Sequence, residues 1–453
     1  MTVEFGVEAG IIAAAVTALS LWLLHPVAVR LNLMDVPHGR KHHASPTPFI
    51  GGFAILAGVV AVGTTLPDPG QYAGFASGCV LLAVIGLLDD KYAVAWYWRV
   101  LVQGLATLMM VYGDGVRVEH FGPALGLDDT SLGALSVPFT LLATIGLINA
   151  VNMVDGIDGA AGSLVATALA LVVGAAWYSG NIPVAQNAVV LLCAVLAFLA
   201  YNMRHPWQPR ARCFLGNTGS TFLGFALAWL VFRLTQNSHH PVSPVLALWF
   251  LPIPVMDTLV LMARRLRNRR SPFEADRNHI HHLFEAAGVG PTRASLAMAF
   301  FSISCGVMAG QALRMDVPEP LLLAAFGAMC MGWYWATRDR QSAIEVVATL
   351  MATSNQEDAN VAVVRPRTPA RVPTPVTQIS VMRRPLRNVG QGTRPTPEPL
   401  LQQMLELADR DIQEPVAEGV GVAARPVRSG AGPRAPLRDS GNSVRTRPPA
   451  SPM

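Results

Sequence analysis

Uncharged apolar stretches of about 18 residues or more follow one another almost without interruption between residues 8 and 336. A helix of roughly 20 residues, rising about 1.5 Å per residue, crosses the hydrocarbon core of a bilayer, so each stretch reads as a candidate span. They lie near residues 8–29, 49–66, 71–88, 97–113, 133–150, 160–178, 184–203, 217–236, 243–262, 294–313 and 318–336. The uncharged stretch from Gly159 to Met203 accommodates two helices, with Ser179-Gly180-Asn181-Ile182-Pro183 as the turn between them. The expected fold is an all-α integral membrane protein of about eleven transmembrane helices.

Charged residues make up 14% of the 453-residue chain, against about 25% in an average soluble domain. Their distribution divides the chain near residue 340. Residues 341–453 hold 15 of the 34 prolines and 14 arginines against 10 acids, but none of the 33 Phe, Trp and Tyr residues. Such a segment buries too little apolar area to offset its ordering entropy. A membrane domain over 1–340 and a disordered Pro/Arg-rich tail over 341–453 are therefore expected. The basic tail suits an anionic membrane surface. With no aromatic side chain to stack on bases, it argues against nucleic acid as a partner. Cys79, Cys193, Cys213, Cys305 and Cys330 are scattered and show no paired spacing, which indicates neither a disulfide framework nor a zinc site. The first apolar stretch lacks a basic n-region and a small-residue cleavage site, and it reads as an uncleaved first span.

Lysine and arginine set the expected orientation. With the N-terminus outside, seventeen of the twenty basic residues before residue 341 fall in inside loops, and only Arg117, Arg233 and Arg314 fall outside. This places the N-terminus in the periplasm and the tail in the cytoplasm. Trp96-Tyr97-Trp98 and Trp333-Tyr334-Trp335 then sit at cytoplasmic helix ends, where amphipathic rings concentrate.

Carboxylates, amides and histidines gather on that same side. A transporter would place ionisable groups near the bilayer midplane, whereas here only Asp257 lies clearly inside a span. Asp89-Asp90 ends the third span, and two adjacent carboxylates repel each other unless a cation or a proton intervenes; Lys91 is the simple alternative partner. Asn149, Asn152, Asp155 and Asp158 recur every three residues at the end of the fifth span, so a helix would carry them on one side. Gly156 and Gly159 allow a turn and the close approach of a ligand. The turn Leu215-Gly216-Asn217-Thr218-Gly219-Ser220 enters the eighth span, and N–H groups at such a helix start can hold phosphate.

The loop after the ninth span carries Arg264, Arg265, Arg267, Arg269 and Arg270, then Asp276, Arg277, His279, His281 and His282. The arginines serve as an inside signal, while the histidines beside Asp276 suit a diphosphate or a metal. The pattern is not the HExxH of a zinc protease. In the first cytoplasmic loop, Lys41 and His43 belong to a basic cluster that either neutralises a lipid phosphate or anchors the loop.

Taken together, these segments resemble the polyprenyl-phosphate N-acetylhexosamine-1-phosphate transferases of the WecA type, relatives of the MraY translocase. The motifs that carry the resemblance occur in the family's order over residues 30–293: the Asp-Asp pair, Asn-x-x-Asn-x-x-Asp-Gly-Ile-Asp-Gly, Gly-x-x-Gly-Ser and Ser-Pro-Phe-x-x-Asp-x-x-His-Ile-His-His. The resemblance implies a bacterial inner-membrane enzyme with cytoplasmic active-site loops. It would transfer N-acetylhexosamine 1-phosphate, GlcNAc-1-phosphate foremost, from a UDP-sugar to polyprenyl phosphate and release UMP, starting a lipid-linked cell-envelope glycan. It further implies Mg²⁺, with Mn²⁺ as the alternative ion, held by Asn217, Asp89, Asp90 and Asp155. Asp89, Asp90, Asp155, Asp158 and His279 would be catalytic. Lys41, His43, Asn149, Asn152, Arg265, Asp276, His281 and His282 would bind substrate. A homodimer is compatible with this reading. The family usually has Asp where this chain has Asn217, and a neutral amide attracts a hard cation less than a carboxylate does. Lys91-Tyr92-Ala93 also departs from the residues that often follow the Asp-Asp pair. The alternatives are the same reaction with another UDP-N-acetylhexosamine, a catalytically degenerate scaffold, or a membrane transporter.

Overall fold

A computed structural model describes residues 3–35, 46–63, 72–127, 130–271 and 278–352. Among these residues the fold is helical apart from a two-residue antiparallel pair, β1 (Met34–Asp35) with β2 (Thr47–Pro48), in which Met34 faces Pro48 and Asp35 faces Thr47. The helices that match the apolar stretches are α1 (Val3–Arg30), α2 (Gly51–Gly63), α3 (Ala73–Tyr92), α4 (Trp96–Asp114), α5 (Ser136–Val154), α6 (Ala160–Tyr178), α7 (Ile182–Asn202) and α8 (Gly216–Thr235). They continue through α9 (Leu246–Phe250), α10 (Pro252–Arg267), α11 (Ile280–Ala286), α12 (Pro291–Arg314), α13 (Glu319–Ala336) and α14 (Arg340–Ala352).

Among the described residues, every apolar stretch found in the sequence carries helix, and seven helices are long and apolar enough to cross a membrane: α1, α3, α5 with the turn before it, α6, α7, α8 and α12. The chain is an all-α, multi-pass membrane protein. Two local departures have plain causes. The stretch 243–262 is two helices, because Pro252 offers no N–H and forces Leu251 out of helical geometry, to φ −133° and ψ 55°. Residues 341–352, assigned by composition to the disordered tail, form α14 instead. Ala343 and Val347, spaced i and i+4, are buried as α14 packs against α11 and α13.

Helix α8 is the pillar of the molecule. Its apolar window is 94% buried, against 22–61% for the other six spans. Helices α2, α3, α5, α6 and α7 all pack on it. A helix that is apolar on every side is one that neighbours surround. At its far end the Trp229 indole donates to Asp114, whose carboxylate also accepts the N–H groups of Gly74 and Phe75 at 2.7 and 2.8 Å and so caps α3. At its near end α3 comes so close that a Cβ on Gly86 would lie 2.4 Å from the Thr218 Cα. Backbone cannot yield there as a flexible side chain would, so glycine is required for the approach.

Gly86→Val should therefore lower stability by about 1–3 kcal/mol, the usual cost of overpacking a dense core. A melting curve of the detergent-solubilised protein unchanged by this substitution would contradict the contact.

Candidate active site

Helices α3, α5 and α7 end, and α8 and α12 begin, around a polar cavity of about 690 Å³. Asp89, Asp90, Asn152, Asp155, Asp158, Arg204, Asn217 and His282 line it, together with Asp35 and Glu285. A second cavity of about 410 Å³ has an almost wholly apolar lining from α1, α2, α3, α7 and α8. It is built from the opposite ends of those helices and contains none of the candidate site residues.

The adjacent aspartates are drawn apart. The Asp89 carboxylate accepts the Val94 N–H at 2.8 Å and pairs with Arg99 at 2.9 Å, so its partner is Arg99 rather than Lys91. Asp90 turns the other way. It accepts the N–H of Asn217 at 2.9 Å and that of Thr218 at 3.4 Å, and the Thr218 hydroxyl at 3.5 Å. A carboxylate at a helix start satisfies N–H groups that have no partner within the helix and meets the positive end of its dipole. This corrects the expectation that the Gly216–Ser220 turn holds phosphate through those N–H groups, because Asp90 already occupies them.

The Asn149–Asp158 series is also divided. Asn149 donates to the Gln103 side chain on α4 at 2.8 Å and to the Ile145 carbonyl at 2.8 Å, and it does not line the cavity. Asn152 does line it and donates to the Asn217 side-chain oxygen and the Ser220 hydroxyl, both at 2.8 Å. The helix stops at Val154, so Asp158 reaches the cavity from a turn and pairs with Arg204. Among the described residues, no hydrogen bond or ion pair engages the Asp155 carboxylate. Burial, with Asp90 and then Asp158 adding like charge, pushes its carboxyl up to about 7.

The histidines form a third group. His279 is buried and bonds through Nδ1 to Asp257 at 2.8 Å, while Arg265 approaches its Nε2 at 3.4 Å. Asp257 also accepts the Ile280 N–H at 3.4 Å, starting α11. With Arg265 donating to Nε2, the imidazole proton sits on Nδ1 and is donated to Asp257. His281 stacks on His279 with ring centroids 5.9 Å apart. Its Nε2 lies 2.1 Å from where a Cβ on Gly156 would be, so the Asp155–Gly159 turn and α11 touch directly. Burial, then the neighbouring His282 and His279, lowers His281 to about 3. His282 lies in the cavity wall, 3.5 Å from Glu285. In the arginine run, Arg264 and Arg267 hold Tyr334 and Thr337, which leaves Arg265 for His279. Lys41, His43 and Asp276 lie outside the described residues.

Arg99, Arg204 and Asp257 complete the site without standing out as site residues in the sequence. The two arginines look like ordinary members of the basic inside loops. Asp257 did carry a signal, since an ionisable residue inside an apolar span calls for a partner.

The donor set also tests the fit of a divalent cation. Among the described residues, no three His, Cys, Asp or Glu side chains converge tightly enough to enclose an ion. A hard cation of the Mg²⁺ type needs no such cage, because it keeps waters and takes one or two carboxylates plus substrate phosphates. Asp155, whose carboxylate has no hydrogen bond or ion pair among the described residues and which lines the same cavity as Asn217, suits that mode.

Residues 72–235 match the model of glycosyl transferase family 4. The chain is 34% identical over 292 residues to a Haemophilus influenzae protein named undecaprenyl-phosphate alpha-N-acetylglucosaminyl 1-phosphate transferase, covering 64% of this chain and 82% of that one. A protein of the same name from Escherichia coli K12 is 35% identical over 319 residues, covering 68% of this chain and 85% of its own length. Another from Yersinia pestis is 34% identical over 314 residues, with 68% and 84% covered.

The histidine geometry sets a pH dependence. Because the folded chain holds His281 neutral down to about 3, whereas the unfolded chain binds the proton below about 6.5, stability is complete above 6.5 and falls as pH drops from 6.5 toward 3. Melting temperatures across that window should fall less steeply in His281→Asn than in the wild type. Parallel slopes would show that His281 does not titrate in this way.

Proposed function

Because the chain belongs to the polyprenyl-phosphate N-acetylhexosamine-1-phosphate transferases within glycosyl transferase family 4, we propose that it transfers GlcNAc-1-phosphate from UDP-GlcNAc to undecaprenyl phosphate and releases UMP. The observation that carries this reading is the unpartnered Asp155 carboxylate in a cavity walled by Asp90, Asp158, Asn152 and Asn217 at the ends of membrane spans. Such a place lets a lipid phosphate meet a dissolved nucleotide.

In this reaction an oxygen of the lipid phosphate forms a bond to the β-phosphorus of the UDP-sugar, and the bond from that phosphorus to the bridging oxygen breaks, so UMP departs. Mg²⁺, or Mn²⁺ in its place, would neutralise charge on the diphosphate when held by Asp155 and the Asn217 amide oxygen. Asp155, the carboxylate of this wall without a partner among the described residues, orients the attacking phosphate toward the diphosphate. Asp90 fixes the start of α8 and with it the position of Asn217. Arg204 holds Asp158 in the wall. Asp257 holds His279, and His281 keeps α11 against the Asp155 turn, which brings His282 to the cavity to contact the diphosphate or the sugar. The basic bias of the loops on this face supports a cytoplasmic site in the bacterial inner membrane, with the N-terminus periplasmic.

Transfer of label from UDP-GlcNAc carrying ³²P at the β-phosphorus to undecaprenyl phosphate tests the reading. Labelled lipid that depends on Mg²⁺ and is lost on adding UMP is expected. No labelled lipid, in membranes where a related enzyme is active, would contradict it and favour another UDP-N-acetylhexosamine or an inactive scaffold. Asn217→Asp adds a charge to the cation's surroundings and should lower the Mg²⁺ concentration for half-maximal transfer by about tenfold, the equivalent of 1.4 kcal/mol. Equal Mg²⁺ dependence in wild type, Asn217→Asp and Asn217→Ala would remove Asn217 from the cation site.

A further inference from the structure

The loop between α7 and α8 is built more tightly than a connector requires. The buried side chain of Gln208 donates through Nε2 toward the carbonyls of Ala200 at 3.3 Å, Tyr201 at 3.0 Å and Met203 at 3.0 Å. These are carbonyls at a helix end, where the helix itself offers no N–H. His205 and Gln208 exchange both backbone hydrogen bonds, at 3.0 and 2.8 Å, and the Arg212 N–H donates to Tyr201 at 2.8 Å. The Thr292 hydroxyl ties the Arg204 carbonyl to α12. The loop is thereby folded back onto the end of α7, with Trp207 at the tip of a closed turn.

That tip faces outward. Trp207 is 87% exposed, more than any other large apolar side chain among the described residues. Pro206, Pro209, Arg210 and Arg212 around it are exposed as well, and no acid occurs between Met203 and Cys213. The turn begins three residues beyond Asn202, where the α7 span ends, and the Gln208 contacts stop it from extending away from that end. An indole and two guanidinium groups carried on a turn whose backbone is tied to the end of a spanning helix match the chemistry of one surface, the headgroup layer of an anionic leaflet. The indole ring is amphipathic and the arginines complement lipid phosphate.

We propose that the His205–Arg212 turn is a membrane-surface anchor, with Trp207 entering the headgroup layer and Arg210 and Arg212 pairing with anionic phospholipids. The inference rests on the membrane placement of the proposed function. It adds that the Arg204–Asp158 wall of the cavity is tethered to the bilayer surface by the loop that carries Arg204.

The full-length chain and its Trp207→Phe variant, reconstituted in phosphatidylethanolamine vesicles with or without phosphatidylglycerol, provide the test. The emission lost on Trp207→Phe substitution is the Trp207 signal. A headgroup nitroxide lipid should quench it at least twofold more than a nitroxide at the acyl-chain centre, and phosphatidylglycerol should increase that quenching. The Arg210→Gln/Arg212→Gln variant should lose at least half of the increase. A Trp207 signal quenched by neither lipid but by dissolved iodide would overturn the anchor and leave the indole for a dissolved partner. Sugar-phosphate transfer measured in the same vesicles separates the two proposals. Transfer with an unquenched Trp207 sinks the anchor alone, and quenching without transfer sinks the proposed function alone.

Discussion

One carboxylate on one helix start organises this molecule. Helix α8 runs through the middle of the bundle with nearly every side chain buried, and its first N–H groups have no partner within the helix. Asp90, at the end of α3, supplies the acceptor across 127 residues of chain. The Gly86 approach holds the two helices close enough for that bond to form. Everything that faces the cavity from α8, Asn217 above all, takes its position from this joint.

The joint also explains a division among acids that look equivalent in sequence. Asp89 is matched by Arg99, Asp158 by Arg204 and Asp257 by His279, while Asp90 is matched by backbone N–H groups. Each of these acids is matched by a partner within the fold. Asp155 alone of this set faces the cavity without one, and burial, with Asp90 and Asp158 adding like charge, raises its proton affinity. Among the described residues, the pocket thus holds one carboxyl without a protein partner beside acids that have one.

The fold is legible because apolar length is a local property: each long apolar stretch carries helix, and only the one at 243–262 is divided in two. The break at Pro252 was equally local, but the apolar run on both sides of it masked it. Helix α14 was missed because its composition blends into the tail, and only the Ala343 and Val347 spacing distinguished it. The site's members were largely legible as motifs, whereas their pairings were not. Asp90 with Asn217, Asp158 with Arg204 and Asn149 with Gln103 join residues 127, 46 and 46 positions apart. Periodicity within one segment cannot show such contacts, which is why Asn149 looked like a cavity residue and Arg204 like a simple inside charge.

The central claim of the proposed function is that Asp155, the acid of this set without a protein partner, serves the chemistry. The most direct test is to measure melting temperature and transfer rate together in Asp155→Asn. The substitution removes a charge that burial and like neighbours disfavour, so the account predicts a melting temperature equal to or above that of the wild type. It also predicts transfer reduced by about 10²-fold or more, the range for losing a group that stabilises charge at the reacting centre. Transfer kept near the wild-type rate, or a melting temperature several degrees lower, would contradict the account.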